Sequence, residues 1–482
     1  MIPLDRLSHF AKERPSATAL IASKESVTWR ELAARVELAQ RALFVHVGDE
    51  HPRRVVALVR NDVDAIVAFI ACAARGISCI PLDAGRPIEH LVAIARLVQA
   101  RAVLVAAPYC TFGEDLAIRA NLVFVPLEAL SELYAPAQPA LARPFESIGL
   151  TSGTSGIPKV AYRTRSFDAR RFAALTTTYE FRASDIYLVT VPFSHVSAAG
   201  WARMFLQLGG RVVVSDRLDA AALAEAAIAT RTTAFLATPP TLEQMLVFLE
   251  QDSREAEVRF VISGGKRLSP IVRRRATEYF GNVIHEYYGT TETGLNVIAG
   301  PKDAAVAPRS AGRMLDGNRV LILDEHERPL PHGETGRVAI ASYQMMDGYL
   351  GQQAPFTIIE GERFFVTADY GWLDEDDRLF LHGRKDVLGP SVTRDFPRFE
   401  DVVREVEGVT DVAFLNHDNR LSALVSCAAG KSSFAEITAT LVAAGLPEAD
   451  VRIVPSIPYS LSGKIDVGRA RTLIADEEVS YS

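Results

Sequence analysis

The amino-acid sequence predicts an α/β protein in which a large N-terminal domain, with mostly parallel sheets flanked by helices and a small β-barrel-like part, precedes a small C-terminal α+β domain. Three observations support this prediction. Short apolar strands alternate with helices in the first part of the chain, the pattern turns antiparallel after Gly312, and a fresh strand and helix block follows Asp386. Alternating strands and helices are typical of a parallel sheet with covered faces.

The first strand–helix–strand unit begins near Val55. Val55–Arg60 has the composition of a strand, Asp64–Arg75 has the apolar spacing of a helix, and Ile77–Pro81 resembles a second strand. The same alternation continues in two helix–strand pairs, which are Ile88–Gln99 with Ala102–Ala106 and Leu218–Thr230 with Thr233–Ala237. These units predict a largely parallel sheet.

The later segments indicate a change of architecture. Val320–Leu323 and Arg337–Ala341 are strand-like and are joined by a polar segment with Pro and Gly, which favours an antiparallel turn. The C-terminal block then comprises helix Phe399–Glu407, strands Val412–Leu415 and Ser422–Ser426, and helix Phe434–Ala444. We therefore expect domains at residues 1–384 and 385–482.

Composition excludes several function classes. The chain has 482 residues, 48% hydrophobic and 23% charged, with a net charge of −7, which disfavours a nucleic acid or an anionic membrane as the main partner. The four cysteines are scattered without a Cys-x-x-Cys pair and predict buried structural thiols. A signal peptide and a membrane-spanning apolar run are both missing from the sequence, so we expect a cytoplasmic protein.

The most informative segment is Thr151–Lys159, which follows the apolar Ile148–Leu150, the predicted end of a buried strand. Glycines free backbone N–H groups, hydroxyls add donors and the lysine adds charge, so the loop suits a polyphosphate. A flexible Ser/Gly linker is the alternative, although linkers do not usually follow an apolar strand and close with Pro-Lys. A Walker loop is excluded because the Walker lysine follows a glycine, whereas Lys159 follows Pro158. The candidate nucleotide-binding residues here are Thr151, Ser152, Gly153, Thr154, Ser155, Gly156 and Lys159.

Further segments carry residues suited to a nucleotide. Glu286–Glu292 follows the strand-like Asn282–Ile284, and its aromatic, hydroxyl and acidic side chains suit a base, a phosphate and a magnesium ion. Asp369 and Arg384 suit a ribose, and Lys464 lies on a glycine turn. Taken singly, each segment also fits a helix cap, a surface turn or a solvated charge.

The order and spacing of these segments resemble the adenylate-forming superfamily of acyl- and aryl-CoA ligases, adenylation domains of peptide synthetases and luciferase. Val27–Leu32 also resembles the start of that family, so the resemblance covers nearly the whole chain. It implies a ligase that uses ATP and Mg²⁺ to convert a carboxylic acid to an acyl-adenylate, releases pyrophosphate, and then transfers the acyl group.

The resemblance also implies residue roles. The loop Thr151–Lys159 would wrap the β- and γ-phosphates, Thr291 would contact the α-phosphate, and Glu292 would bind Mg²⁺. Tyr288 would pack on adenine, and Lys464 would bridge the substrate carboxylate and the α-phosphate. The catalytic candidates are Lys464, Thr291, Glu292 and His195. The other ATP-binding candidates are Gly264 and Gly265 beside adenine and the acyl pocket, Asp369 and Arg384 at the ribose, and Glu286, Tyr287, Gly289 and Thr290 of the same motif.

In the family, the small domain rotates between adenylation and acyl transfer about a hinge just after the ribose-binding arginine. This position is Asp386, for which a plain polar linker residue is the alternative.

Residues near His195 indicate the kind of acid. Amino-acid adenylation domains place an aspartate here for the α-ammonium group, whereas this chain has His195 and Val196. A buried ammonium without a carboxylate partner is costly, so we expect an aryl or short alkyl acid. The substrate candidates are His195, Val196, Ala199, Gly200 and Gly265. A satisfied core histidine is the alternative for His195, and Lys266, unusual for the family, would meet a substrate carboxylate or reach solvent.

The acceptor is left open. The family commonly has Lys-x-x-Gly after the hinge, where this chain has the stiffer Gly389-Pro390. CoA, a carrier-protein phosphopantetheine and an amine all stay candidates. Two rival functions are a free-standing amino-acid adenylating enzyme that loads a carrier protein, and an inactive nucleotide-binding scaffold.

Overall fold

The structure is a computed structural model. It describes residues 3–48, 53–132, 146–151, 158–164, 169–254, 256–389, 396–418, 420–428, 434–446, 449–459 and 463–475. At Ala169, Val196 and Asp386 only the backbone is described.

The α-helices of the described residues are α1 (Leu4–Glu13), α2 (Trp29–Val47), α3 (Val63–Ala74), α4 (Ile88–Leu97), α5 (Cys110–Ala120), α6 (Ala169–Thr178), α7 (Val196–Leu208), α8 (Ala220–Ala229), α9 (Pro239–Leu249), α10 (Pro270–Phe280), α11 (Pro301–Val306), α12 (Lys385–Leu388), α13 (Phe396–Arg404), α14 (Phe434–Ala444) and α15 (Val467–Ala475). Two short 3₁₀ helices cover Ala107–Tyr109 and Leu127–Ser131.

The strands are β1 (Thr18–Ile21), β2 (Ser26–Thr28), β3 (Arg54–Leu58), β4 (Ser78–Pro81), β5 (Ala102–Val105), β6 (Val123–Pro126), β7 (Ser147–Leu150), β8 (Val160–Arg163), β9 (Ile186–Leu188), β10 (Arg211–Val213), β11 (Ala234–Ala237), β12 (Phe260–Ser263), β13 (Ile284–Thr290), β14 (Gly294–Ala299), β15 (Gly312–Met314), β16 (Arg319–Leu323), β17 (Gly336–Ala341), β18 (Gly348–Tyr349), β19 (Phe356–Ile359), β20 (Glu362–Leu373), β21 (Arg378–Arg384), β22 (Val409–His417), β23 (Arg420–Cys427) and β24 (Asp450–Val454).

The chain divides into two compact units. The first comprises Met1–Ala237, Thr241–Ile262 and Gln344–Ala354, and the second comprises Thr238–Pro240, Ser263–Tyr343 and Pro355–Ser482. The predicted boundary near Asp386 stays a prediction, and residues 385–482 lie within the second unit.

Parallel sheets dominate the first unit, as the alternating pattern predicted. β4, β3, β5 and β6 form a parallel four-stranded sheet, and β1, β10, β9 and β11 are parallel neighbours in another. Helix α3 is apolar on most of its surface because it is buried against α2 and β4, and Asp62 caps its first turn by accepting from the Ala65 N–H. The strand–helix–strand units therefore form as expected, with ends that differ by one or two residues.

Antiparallel strands dominate the second unit. Their order is β13-β14-β15-β21-β20-β17-β16. The small barrel-like part stays a prediction. A separate sheet, β22-β23-β24, packs with α13, α14 and α15 and forms the predicted C-terminal α+β block. Helix α13 begins three residues earlier than predicted, at Phe396, because Phe396 and Phe399 both pack into this core.

The sequence also predicted that a membrane-spanning segment is lacking and that the cysteines are buried thiols. In the described part of the chain, none of the helices combines the length and apolar character that crossing a membrane requires. All four cysteines are free thiols; Cys72 is buried, whereas Cys79, Cys110 and Cys427 are only half-buried.

Candidate active site

The segment Thr151–Lys159 connects two antiparallel strands of the first unit. β7 pairs with β8, and the Thr151 N–H donates to the Lys159 carbonyl oxygen at 2.9 Å, so the ends of the loop are tied together. Lys159 is exposed, and its Nζ lies 5.1 Å from the centroid of the Tyr349 ring. The predicted residues Ser152, Gly153, Thr154, Ser155 and Gly156 lie outside the described residues.

The strand that precedes this loop differs from expectation. We predicted a buried strand at Ile148–Leu150, but β7 is mostly half-buried. The physical reason is its place at the edge of a small three-stranded sheet, β18-β8-β7, which covers less surface than a large parallel sheet.

The Tyr-rich motif also lies differently from the prediction. We expected a strand at Asn282–Ile284 followed by the motif, whereas β13 starts at Ile284 and includes Glu286–Thr290. Pairing with β14 extends the strand through its Tyr and Thr residues, which favour extended backbone. Thr291 and Glu292 consequently stand at the half-buried tip of the β13–β14 hairpin.

Gly289 is required by the close approach of the two strands. A Cβ at Gly289 would overlap the carbonyl oxygen of Gly294, and a register shift occurs between Tyr288 and Gly289. The Thr293 N–H donates to Thr290 Oγ1 at 3.2 Å, which fixes the hairpin turn. The backbone therefore holds Thr291 and Glu292 in a defined turn.

Glu286 is engaged within the protein. Its carboxylate is buried and accepts hydrogen bonds from the Leu268 N–H at 2.9 Å and from Arg273 Nη2 at 2.6 Å. A buried carboxylate needs such partners. This arrangement joins β13 to the segment that leads into α10, and it favours an anchoring role for Glu286 over direct contact with a nucleotide.

The two predicted ribose residues lie opposite each other. Asp369 in β20 is the register partner of Arg384, the last residue of β21. The Tyr288 hydroxyl donates to Asp369 Oδ2 at 2.7 Å, and burial together with the Asp369 charge raises the pKa of Tyr288. Tyr288 of β13 thus contacts Asp369 of β20, which lies opposite Arg384 of β21, all within the second unit.

Tyr287, on the other face of β13, covers Gly264. A Cβ at Gly264 would overlap the Tyr287 ring, so the ring lies directly on the glycine backbone. Gly265 has φ = +90°, a conformation that favours glycine. Glycine is therefore favoured at both positions: the Tyr287 ring leaves no room for a side chain at Gly264, and Gly265 has a positive φ.

Lys464 lies beside a tightly packed turn. Gly463 has φ = +74°, and a Cβ there would come within 2.6 Å of Thr238 Cβ. An isolated bridge pairs Tyr459 with Ile465, and the Asp466 N–H donates to the Pro458 carbonyl oxygen at 2.9 Å. These contacts close the base of the loop that carries Lys464.

His195 is the N-cap residue of α7. Its Nδ1 lies 2.6 Å from Ser197 Oγ and accepts from the Ser197 N–H at 3.4 Å. Ala199 and Gly200 are half-buried on the same helix, and the side chain of Val196 is outside the description. The helix cap gives His195 a structural function that is compatible with a place at the acid pocket.

Asp386 lies in α12, a single turn that follows Arg384 directly. Gly383 has φ = +142°, and a Cβ there would meet Leu388 Cδ1 at 2.5 Å. The backbone thus changes from strand to helix at the predicted hinge.

Two further features were missed at the sequence level. Arg203 stands three and four residues after Gly200 and Ala199 on α7, and burial, with a contribution from Arg171, lowers its pKa to about 10. Lys266 contacts Tyr459 and Asp411, and 20% of its side chain is exposed. Arginine on an amphipathic helix is usually exposed, and residues nearly two hundred positions apart carry no sequence signal of contact.

The chain is similar to a known family and to named relatives. Residues 7–350 match the model of the family described as AMP-binding enzyme. An uncharacterized acyl-CoA ligase of Bacillus subtilis (strain 168), YhfT, is 23% identical over 385 residues, or 79% of this chain and 78% of that protein. A salicylyl-CoA synthase / salicylate adenylyltransferase of Streptomyces sp is 25% identical over 527 residues, or 97% of this chain and 93% of that protein.

The fold is likewise similar to that of a solved structure. The amide bond synthetase McbA from Marinactinospora thermotolerans superposes with a TM-score of 0.84 and 24% sequence identity, covering 98% of this chain and 99% of that one. The similarity extends through the C-terminal residues that follow the family match.

Proposed function

Because this chain belongs to the AMP-binding enzyme family and is an adenylate-forming ligase, we propose that it activates an aryl or short alkyl carboxylic acid that lacks an α-amino group. ATP is the co-substrate, the first products are an acyl-adenylate and pyrophosphate, and the acyl group then passes to an acceptor. The observation that supports the proposal is the hydrogen bond from Tyr288 to Asp369, which lies opposite Arg384, because it brings together three residues to which the family resemblance assigns the nucleoside.

The first step joins two anions. A carboxylate oxygen of the acid attacks the α-phosphorus of ATP, the bond from that phosphorus to the bridging oxygen breaks, and pyrophosphate leaves. Cations and preorganised donors must offset the repulsion and the developing charge. We assign Lys464 to the carboxylate and α-phosphate, Thr291 to the α-phosphate, and Thr151–Lys159 to the leaving pyrophosphate.

Asp369 and Arg384 are assigned to the ribose and Tyr288 to adenine. The Asp369 carboxylate accepts a hydrogen bond from Tyr288 at Oδ2, and because an ionised carboxylate offers about four lone-pair sites, it can also accept from ribose hydroxyls. Asp386 is assigned to the hinge between the two steps. A cytoplasmic location stays a prediction.

A magnesium ion fits the donor set at Glu292. The described residues contain no group of three or more His, Cys, Asp or Glu side chains that could hold a metal by themselves. Mg²⁺ bound to a nucleotide usually needs only one or two carboxylates, because phosphates and water supply the remaining ligands. Glu292, at the tip of the hairpin beside Thr291, would hold the ion, which would neutralise phosphate charge.

The acid is inferred from α7. His195 stands where an aspartate would pair with an α-ammonium, and its Nδ1 already accepts a hydrogen bond from the Ser197 N–H. An unpaired ammonium would be costly in such a pocket. The relative named for salicylate supports an aryl acid.

For the acceptor, we favour the thiol of CoA, because two relatives are named as CoA ligases or synthases. A carrier-protein phosphopantetheine and an amine are the other candidates. In each case the acceptor attacks the acyl carbon and AMP leaves.

An acid panel separates this proposal from its rivals. Exchange of labelled pyrophosphate into ATP is measured with benzoate, salicylate, butyrate, phenylalanine and alanine. The proposal requires exchange with an aryl or alkyl acid. Exchange with the amino acids alone would establish an amino-acid adenylating enzyme, and the absence of exchange with every acid would favour a scaffold. Discharge of the adenylate by CoA, a phosphopantetheinyl carrier or an amine then identifies the acceptor.

A further inference from the structure

Two adjacent cations follow the Gly264-Gly265 turn and contact residues after position 385. Lys266 Nζ lies 2.6 Å from Tyr459 Oη and 3.4 Å from Asp411 Oδ1. Arg267 Nη2 donates to Asp401 at 2.7 Å and to Glu400 at 3.0 Å. The segment beside the proposed adenine and acyl site is therefore tied to the part of the chain that carries Lys464.

Tyr459 is the central member of the first contact. Its hydroxyl donates to Asp411 Oδ2 at 2.6 Å and accepts from Lys266 Nζ. Burial and the charge of Asp411 raise the pKa of Tyr459, so the hydroxyl keeps the proton that it donates. Lys266, Tyr459 and Asp411 thus form a complete donor–acceptor chain, which we call the lysine–tyrosine–aspartate relay.

Asp411 is held firmly in place. Arg404 Nη1 donates to its Oδ1 at 3.1 Å, and the Val412 N–H donates to the same oxygen at 2.9 Å. The side chains of Lys266 and Asp411 are 20% and 22% exposed, so solvent screens this pair less than a surface pair. The relay is consequently anchored to the β22 strand at one end and to the Gly264-Gly265 turn at the other.

Tyr459 is close to Lys464 through backbone pairing. It forms an isolated bridge with Ile465, the residue next to Lys464, and the Asp466 N–H bonds to the Pro458 carbonyl. A shift of Tyr459 would move the base of this loop. A displacement of about 1 Å at a reacting group can lower a rate about a hundredfold.

We infer that Lys266, acting through Tyr459, is a positioning residue that holds Lys464 in place for the adenylation step. The inference rests on the proposed function. It also assigns a role to Lys266 that differs from contact with a substrate carboxylate, since its ammonium group is directed at Tyr459 and Asp411.

The test compares three variants in the pyrophosphate exchange assay with ATP and the best acid of the panel. Lys266→Met and Tyr459→Phe each remove one member of the relay, and Lys302→Met removes an exposed lysine of α11 as a matched control. We expect kcat to fall about tenfold to a hundredfold in the first two variants, with KM for ATP changed less than about threefold. The control should keep the wild-type kcat. Lys266→Arg keeps the charge and a hydrogen-bond donor, so its kcat should be much closer to that of the wild type than the kcat of Lys266→Met.

Two results would overturn the inference: a kcat within about twofold of wild type in either relay variant, or a rise in KM for ATP that matches the fall in kcat. Thermal unfolding of each variant identifies a general loss of structure, and if Tyr459→Phe fails to fold, Lys266→Met decides the matter because its side chain is partly exposed. Failure of the proposed function itself is distinct, since the wild-type protein would then show no acid-dependent exchange.

Discussion

The Tyr288 hydroxyl donates a hydrogen bond of 2.7 Å to Oδ2 of Asp369, and this bond couples the residue assigned to adenine with the residue assigned to the ribose. Arg384 stands opposite Asp369 in the neighbouring strand. The orientation of the Asp369 carboxylate is therefore set before a nucleotide binds. Preorganisation of this kind lowers the cost of ordering side chains on binding.

Replacement of Tyr288 by Phe should raise KM for ATP about tenfold, because a hydrogen bond to a charged group contributes roughly 1.5 kcal/mol or more. The ring remains for adenine, so kcat should change little. The measurement is acid-dependent exchange as a function of ATP concentration. With 3′-deoxy-ATP, which offers Asp369 one hydroxyl fewer, the variant and the wild type should differ less. An unchanged KM for ATP would show that the bond does not orient the ribose site.

Replacement of Tyr287 by Ala should admit bulkier acids. The ring lies on Gly264, so its removal opens space beside the Gly264-Gly265 backbone that we assign to the acid. Relative kcat/KM for 2-naphthoate over benzoate should rise about tenfold or more, in line with the discrimination of small changes in apolar pockets. KM for ATP is measured in parallel because Tyr287 is also an ATP-binding candidate, and thermal unfolding is the control for a general loss of structure. The same acid preference in variant and wild type would place Tyr287 outside the acid pocket.

Replacement of Gly463 by Ala should lower both stability and exchange. The added Cβ would lie 2.6 Å from Thr238 Cβ, so either the threonine or the Lys464 loop must move. A non-glycine residue at positive φ costs roughly 1 kcal/mol in addition.

Gly445→Ala is the matched control for this change. Gly445 also has positive φ, +96°, but a Cβ there meets nothing within 4 Å. The control should lose a similar amount of stability from backbone strain and keep its exchange activity. Equal exchange in the two variants would show that the packing of Gly463 on Thr238 does not position Lys464.

Asp62→Asn should stabilise the protein at neutral pH. Burial raises the pKa of Asp62 from 3.8 to about 6, against the opposing hydrogen bond from the Ala65 N–H. Each pKa unit corresponds to ~1.4 kcal/mol, so the ionised carboxylate costs about 1–3 kcal/mol of stability above pH 6. Asparagine keeps the helix cap without the charge.

The sign of this effect follows from the direction of the pKa change. Stability connected with Asp62 is fully present below pH 3.8, where the carboxyl is protonated in both folded and unfolded states, and is lost as the pH rises through 6. The difference in melting temperature between Asp62→Asn and wild type should be positive at pH 7.5 and close to zero at pH 4. A difference that does not depend on pH would contradict the assignment.

The alternating strands and helices were predictable because each element has its own local pattern. α14 was predicted with both its ends, and β5 and β17 to within one residue, since their apolar residues follow the pattern of local burial. The ends of β13 were not predictable, because its length depends on pairing with β14.

The candidate site residues were predictable from motif order, but their relationships were not. Nothing in the sequence indicates that Tyr288 bonds to Asp369, that Glu286 is paired with Arg273, or that Lys266 reaches Tyr459. Each of these contacts joins residues from different elements, and it depends on tertiary packing that local patterns do not encode.

The most direct test of the central claim is acid-dependent exchange of pyrophosphate into ATP by the wild-type protein and by Lys464→Ala. We expect exchange by the wild type with an aryl or short alkyl acid. We also expect Lys464→Ala to abolish this exchange while ATP binding, measured by calorimetry, stays largely intact. Exchange that persists in Lys464→Ala would contradict the role assigned to Lys464, and a wild-type protein that exchanges with no acid would contradict the proposed adenylation reaction.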